Sequence, residues 1–251
     1  MTQRAKEVLT QVEAVAGYTA YIELIRPLIK DKTVISTPMK KEVDRVTAAI
    51  DMALQGTSCA IVSSGDPGVY AMAGLVFEVC RTKNIALISS SDRRTRKSVE
   101  AGKHGLNIEV IPGIPALCAG ASLLGAPLTH DFAAISLSDL LTPWEVIERR
   151  LDAAAMADFV IVLYNPKSKK RNWQLGRACE MILKYRNGKT PVGIVNRAMR
   201  DQQSAHITTL DELTSFPVDM QTTVFIGNST TFAFMDFMVT PRGYAEKYKL
   251  A

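Results

Sequence analysis

The chain has 251 residues, 47% of them hydrophobic, 22% charged and 7% aromatic, with 15 Gly and 11 Pro. That profile is the profile of a globular protein with ample length for a buried core, and it excludes a disordered chain, a collagen-like repeat and a coiled coil. Thirty Lys and Arg against 25 Asp and Glu leave a formal charge of +5 and an isoelectric point near 9.0, which admits an acidic ligand without naming one.

No apolar run approaches the roughly 20 residues of a membrane span. The opening MTQRAKEVL carries charge from its fourth residue and has no apolar signal core, so no membrane contact and a cytoplasmic location are expected. Cys59, Cys80, Cys118 and Cys179 are far apart, with no CxxC, and His104, His130 and His206 share no motif. Buried free thiols are expected, and no protein-held metal.

In chain order, the pattern predicts a helix over 2–10, a strand over 13–17, a helix over 19–29, a strand over 33–36 and an amphipathic helix over 39–54. The run 58–63, SCAIVS, is nearly all apolar, as a strand covered on both faces should be. Helix follows over 69–82, then a strand opening a long basic stretch to 106, then a strand over 108–111. Pro112, Gly113, Ile114 and Pro115 punctuate the chain before a small-residue helix over 116–124.

A domain boundary fits near 127–131, separating 1–127 from 128–251. The second half predicts a strand over 132–137, a Pro-started helix over 143–155, a strand over 159–164, a helix over 173–185 and a strand over 191–196. Strand-like runs 205–209, 222–227 and 234–240, with a short helix over 210–215, predict antiparallel pairing at the end. This alternation makes the fold class α/β.

Four segments carry chemical signals. In SSGDPGVY, 63–70, two glycines at a strand-to-helix crossing let a backbone approach a ligand closely, although neither a phosphate loop nor a dinucleotide fingerprint is present. Asp66 there either accepts hydrogen bonds from a ligand or caps the next helix. The segment 111–132 puts small residues on a helix face, which suits close packing against a sheet or a ligand. VLYNPKSKKRNW, 162–173, opens a buried strand onto Tyr164, Asn165 and a basic loop, and TPVGIVNRAM, 190–199, repeats the strand-then-turn pattern. Open α/β sheets bind ligands at such strand ends.

Read together, SSGDPGVY, the PGIPA segment, ISLSDLLTPWEVIERRL, VLYNPKSKKR, GIVNRA, TTVFIGNSTT and VTPRGY resemble the tetrapyrrole methylase family. Within it they look most like the precorrin-3B C(17)-methyltransferase branch, which contracts the ring in cobalamin synthesis. The resemblance implies a two-domain α/β fold, with a mostly parallel N-terminal sheet and a mixed C-terminal one. It also implies a homodimer and S-adenosylmethionine held between the domains, with S-adenosylhomocysteine as product. Its cofactor contacts carry over to Gly65, Asp66, Val69, Tyr70, Pro115, Ala116, Tyr164, Asn165, Asn196, Arg197 and Ala198. One departure is that family members open with a strand and a Gly-x-Gly-Pro-Gly loop before a Leu-Thr helix start, whereas Met1, Thr2 and Gln3 stand where that helix begins.

Methyl transfer from a sulfonium is an in-line displacement, so alignment does most of the work and no nucleophilic side chain is required. Ring contraction adds proton movement, for which Asp139, His130 and Asp66 are the candidate acids or bases. The acidic tetrapyrrole substrate bears many carboxylates, and Ser138, Lys167, Lys169, Lys170 and Arg171 are the expected substrate-binding residues. Besides an inactive remnant of the family, raised by the missing opening loop, two alternatives stand beside this reading. One is a methylase acting at another corrin position. The other is a nucleic-acid-binding protein, raised by Arg93, Arg94, Arg96 and Lys97 but opposed by the low aromatic content and the absence of a nucleic-acid-binding motif; no nucleic-acid partner is expected.

Overall fold

A computed structural model describes residues 1–88 and 105–249. The basic cluster Arg93, Arg94, Arg96 and Lys97 lies outside the described residues, as does most of the stretch 89–106. The chain divides into two compact units, Met1–Pro115 and Ala116–Ala251. The small-residue helix thus belongs to the second unit, whereas the sequence punctuation had put the boundary after it.

In the first unit, helix α1 (Gln3–Gln11) is capped by Thr2, whose hydroxyl accepts from the Ala5 amide. Strand β1 (Ala14–Tyr18), helix α2 (Thr19–Ile25), strand β2 (Thr33–Thr37), helix α3 (Glu42–Leu54), strand β3 (Cys59–Val62) and helix α4 (Ala73–Thr82) follow. The sheet is all parallel, in the order β2-β1-β3. Alternation sorts its side chains: Val15, Val34, Ala60 and Val62 join Leu9, Ile22 and Ile29 on one face, and Ile61 joins Val46, Ile50 and Cys80 on the other. Helices therefore cover both faces.

Four expectations are corrected in this unit. Pro27 ends α2 early, and the continuation Arg26–Leu28 is a 3-10 turn. Strand β3 is half-buried along its length. The expected helix 69–82 begins only at Ala73, because Tyr70 takes a left-handed backbone at φ 52°. The expected strand 108–111 forms no ladder: Leu106 bridges Leu87 and pairing stops there, just before a segment whose two prolines lack amide donors.

The second unit begins with helix α5 (Ala116–Leu124) and the short strand β4 (Gly125–Ala126). Strand β5 (Phe132–Ser136), helix α6 (Trp144–Met156), strand β6 (Val160–Tyr164), helix α7 (Gln174–Ile182), strand β7 (Pro191–Asn196), strand β8 (Ser204–Thr209) and strand β9 (Thr222–Ile226) build a five-stranded sheet ordered β5-β6-β9-β7-β8. Only β5 and β6 are parallel; the other pairs are antiparallel. Helices α6 and α7 pack on one face with Leu151, Ile182, Leu163 and Ile194. Helix α5 packs on the other, where a Cβ on Gly120 would sit 2.7 Å from the Phe225 ring, so the small residue is what permits that approach.

The expected strand 234–240 is instead a hairpin, β10 (Phe232–Phe234) and β11 (Phe237–Val239), turning at Met235 with φ 52°, and β11 pairs in parallel with β4. The expected short helix 210–215 is a 3-10 helix. A one-turn helix, α8 (Tyr244–Lys247), was not foreseen. Among the described residues no helix is long and apolar enough to cross a membrane.

The thiols divide. Cys80 and Cys179 are buried and Cys59 is half-buried, but Cys118 is exposed, contrary to expectation, because α5 turns Ala119, Gly120 and Leu124 inward and leaves Cys118 on its outer side. Burial pushes the Cys59 thiol up to about 11 and the Cys179 thiol up to about 12.

Candidate functional site

The loop that follows β3 is held by Asp66. One carboxylate oxygen accepts from the Gly68 amide at 2.8 Å, and the other accepts from the Gly113 amide at 2.8 Å. Asp66 thus neither caps α4 nor stands unpaired; it clips two loops together, which removes their freedom to flap. The clip is tight, since a Cβ on Gly113 would lie 2.0 Å from the Gly65 carbonyl oxygen. From the other side, the Thr2 hydroxyl donates to the Pro112 carbonyl at 3.0 Å. Gly65, Asp66, Val69 and Tyr70 therefore ride on one braced loop whose base is the carboxyl end of a parallel sheet.

In the second unit, register decides which strand ends meet. Ser136 pairs with Tyr164, Leu163 with Val224 and Asn196 with Thr222, so the ends of β5, β6 and β7 lie at one edge of the sheet with the start of β9. The Tyr164 hydroxyl accepts from the Leu117 amide at 2.9 Å, joining that edge to the N-terminus of α5. Asn165 donates to the Ser136 hydroxyl at 2.9 Å, and Asn196 donates to Asp219 at 2.8 Å and to Thr222 at 2.9 Å. In this unit Asn165, which follows β6, and Arg197 and Met199, which follow β7, all have positive φ. Strained non-glycine residues gathered at strand ends are a mark of a functional rim.

Beneath that edge lies a polar layer. Arg171, only 7% exposed, donates to the carbonyls of Leu137 at 3.2 Å and Asn165 at 2.9 Å, and lies 3.1 Å from the Met220 sulfur. Gln174, 2% exposed, donates to Asp139 at 3.0 Å, while its own carbonyl oxygen has no partner among the described residues.

Comparison with known proteins decides the kinship. The family model for tetrapyrrole (corrin/porphyrin) methylases matches residues 1–89 and 85–214. The chain belongs to the tetrapyrrole methylase family. It is 45% identical to a Salmonella typhimurium protein named probable cobalt-factor III C(17)-methyltransferase, over 97% of this chain and 93% of that one. It is 47% identical to the cobalt-factor III methyltransferase of Priestia megaterium over its whole length, but spans only 44% of that longer relative. The crystal structure of the methyltransferase CobJ superposes with a TM-score of 0.81 at 32% identity, covering 96% of this chain and 93% of that one.

The residues expected from the sequence fall in two groups, one in each unit. Gly65, Asp66, Val69, Tyr70 and Pro115 belong to the first unit; Ala116, Tyr164, Asn165, Asn196, Arg197, Ala198, Ser138 and Asp139 cluster at the one edge of the second. Lys167, Lys169 and Lys170 are exposed on the loop leaving β6, but Arg171 is turned inward onto backbone carbonyls and is not available to grip a ligand.

His130 is a correction. It precedes β5, so the five-residue strand, roughly 17 Å long, separates it from Asp139; its ring nitrogen accepts from the Asp131 amide at 2.8 Å instead. The GNSTT turn also lies at the far edge, where Ser229 bonds Asp158 and Thr231 meets Thr240 at 2.8 Å. Sequence reading missed Gln174, which looks like an ordinary helix-start residue; only its burial singles it out. Among the described residues no group of three or more His, Cys, Asp or Glu could hold a metal ion.

Proposed function

We propose that this chain methylates C17 of a precorrin-3B-type tetrapyrrole or its cobalt-bearing counterpart, with ring contraction, in cytoplasmic cobalamin biosynthesis. The observation that carries the reading is the end-to-end likeness to the Salmonella relative named for that reaction. S-adenosylmethionine, when bound, supplies a methyl group activated by its sulfonium.

The donor set fits such a ligand. Backbone groups of a glycine loop, a tyrosine and two asparagines at strand ends recognise an uncharged nucleoside and an amino-acid head by hydrogen bonding. Gly65, Asp66, Val69, Tyr70, Pro115, Ala116, Tyr164, Asn165, Asn196, Arg197 and Ala198 are the residues assigned to it. Lys167, Lys169 and Lys170 take substrate carboxylates, with Ser138 beside them. Asp139, oriented by its bond from Gln174, moves the proton that ring contraction requires. Two copies pair, a reading supported by Phe232, Phe234, Met235 and Phe237, all exposed on the hairpin.

The test is calorimetric titration with S-adenosylhomocysteine, followed by turnover of precorrin-3B with a carbon-13-labelled methyl donor. Saturable one-to-one binding and label at C17 are expected. Label at a different ring carbon would reassign the position, and absence of S-adenosylhomocysteine binding would refute the reading.

A further inference from the structure

Two leucines at the rim of the second unit face water almost completely: Leu140 is 78% and Leu141 98% exposed. Single exposed leucines are ordinary, but an adjacent pair on an arch tied to a half-exposed tryptophan calls for an occupant. The surrounding contacts place that pair. Asp139, just before the pair, is bonded by Gln174, and Trp144, just after it, meets the Trp173 ring edge-on with centroids 4.8 Å apart. Both ends of the arch 140–143 are thus tied to residues 173 and 174, and Trp173 is itself 50% exposed.

The base of the arch is also fixed. Arg171 ties the Leu137 carbonyl to the Asn165 carbonyl, so the arch and the loop carrying Lys167, Lys169 and Lys170 leave the sheet side by side. That loop is closed on itself by the Ser168 amide donating to the Arg171 carbonyl at 2.7 Å. An apolar shelf with three exposed ammonium groups along the neighbouring loop is complementary to one kind of ligand: a flat, apolar ring whose margin carries carboxylates.

We propose that Leu140, Leu141 and Trp173 form a ledge that takes the apolar face of the macrocycle, with Lys167, Lys169 and Lys170 engaging its marginal carboxylates. The ledge rests on the methylase reading and adds to it the residues that select a macrocycle over smaller acceptors. Because the leucine side chains lie in solvent, truncating them removes no buried packing, and the fold tolerates the change.

The experiment pairs two titrations on the full chain, uroporphyrin III by fluorescence quenching and S-adenosylhomocysteine by calorimetry. Leu140→Ser with Leu141→Ser is expected to weaken uroporphyrin binding more than tenfold while S-adenosylhomocysteine affinity stays within twofold. Lys169→Glu with Lys170→Glu is expected to weaken uroporphyrin binding as well, and to flatten its dependence on salt. Unchanged uroporphyrin affinity in the leucine variant overturns the ledge. So does a fall in sedimenting mass with affinity intact, which would give the leucines to a second copy. If the parent chain binds S-adenosylhomocysteine but no uroporphyrin, the ledge fails and the methylase reading stands; if it binds neither, both fail.

Discussion

In the first unit the rim loop is braced by main chain: a single carboxylate, Asp66, collects two amides, and Gly113 lets one loop press against the carbonyl of another. In the second unit the corresponding strand ends are braced by buried side chains, with Arg171 on two carbonyls, Gln174 on Asp139 and Tyr164 on the start of α5. The first construction leaves backbone groups and small residues at the surface, which suits close contact along a ligand. The second frees the side chains above it to vary, so residues such as Lys169 and Leu141 can answer to a substrate without supporting the fold.

The contrast is broken most severely at Gly113. Gly113→Ala pushes a methyl into the Gly65 carbonyl, where backbone cannot give way; a loss of about 3 kcal/mol of stability and loss of S-adenosylhomocysteine binding are expected, read by denaturant unfolding and calorimetry. If stability is unchanged, the two loops are not packed as described.

Arg171→Met tests the second construction. It strands the carbonyls of Leu137 and Asn165 and should cost about 2 kcal/mol, whereas Lys169→Ala, two residues away and exposed, should change stability by under about 0.5 kcal/mol. Equal effects in chemical denaturation would show that Arg171 is no more structural than its neighbours.

The smallest effect lies at the start of the first sheet. Glu13 accepts from the Ser58 amide and hydroxyl, each at 2.8 Å, and these bonds hold its carboxyl below the usual carboxylate range. Because the folded value is the lower one, the stabilisation is fully present above the unfolded value and is lost as pH falls through the folded one. A Ser58 amide shift that titrates below the usual range in NMR, and disappears in Glu13→Gln, is the expected result.

Much of this was legible along the chain. Alternation and apolar runs located β1, β2, β3, β5, β6, β7 and β9, because a buried strand must be apolar wherever it is covered. Prolines and glycines marked the loops at the strand ends of each unit, because those residues relieve or impose backbone constraints. What stayed hidden was of another kind. Arg171 reads as one more member of a basic loop, and only its burial separates it from Lys169 and Lys170. His130 and Asp139 are near in sequence, but a strand between them carries them to opposite edges.

Sequence alone therefore determined the class of fold, the family and most of the elements, since hydrophobic period and turn residues act locally. Tertiary structure decided which polar groups are consumed by the scaffold and which still face water. That choice depends on register and burial between segments distant in the chain, where each buried carbonyl must find a donor. It is why Arg171 and Gln174 are spent on the scaffold, while Leu140, Leu141 and the three lysines remain exposed to water.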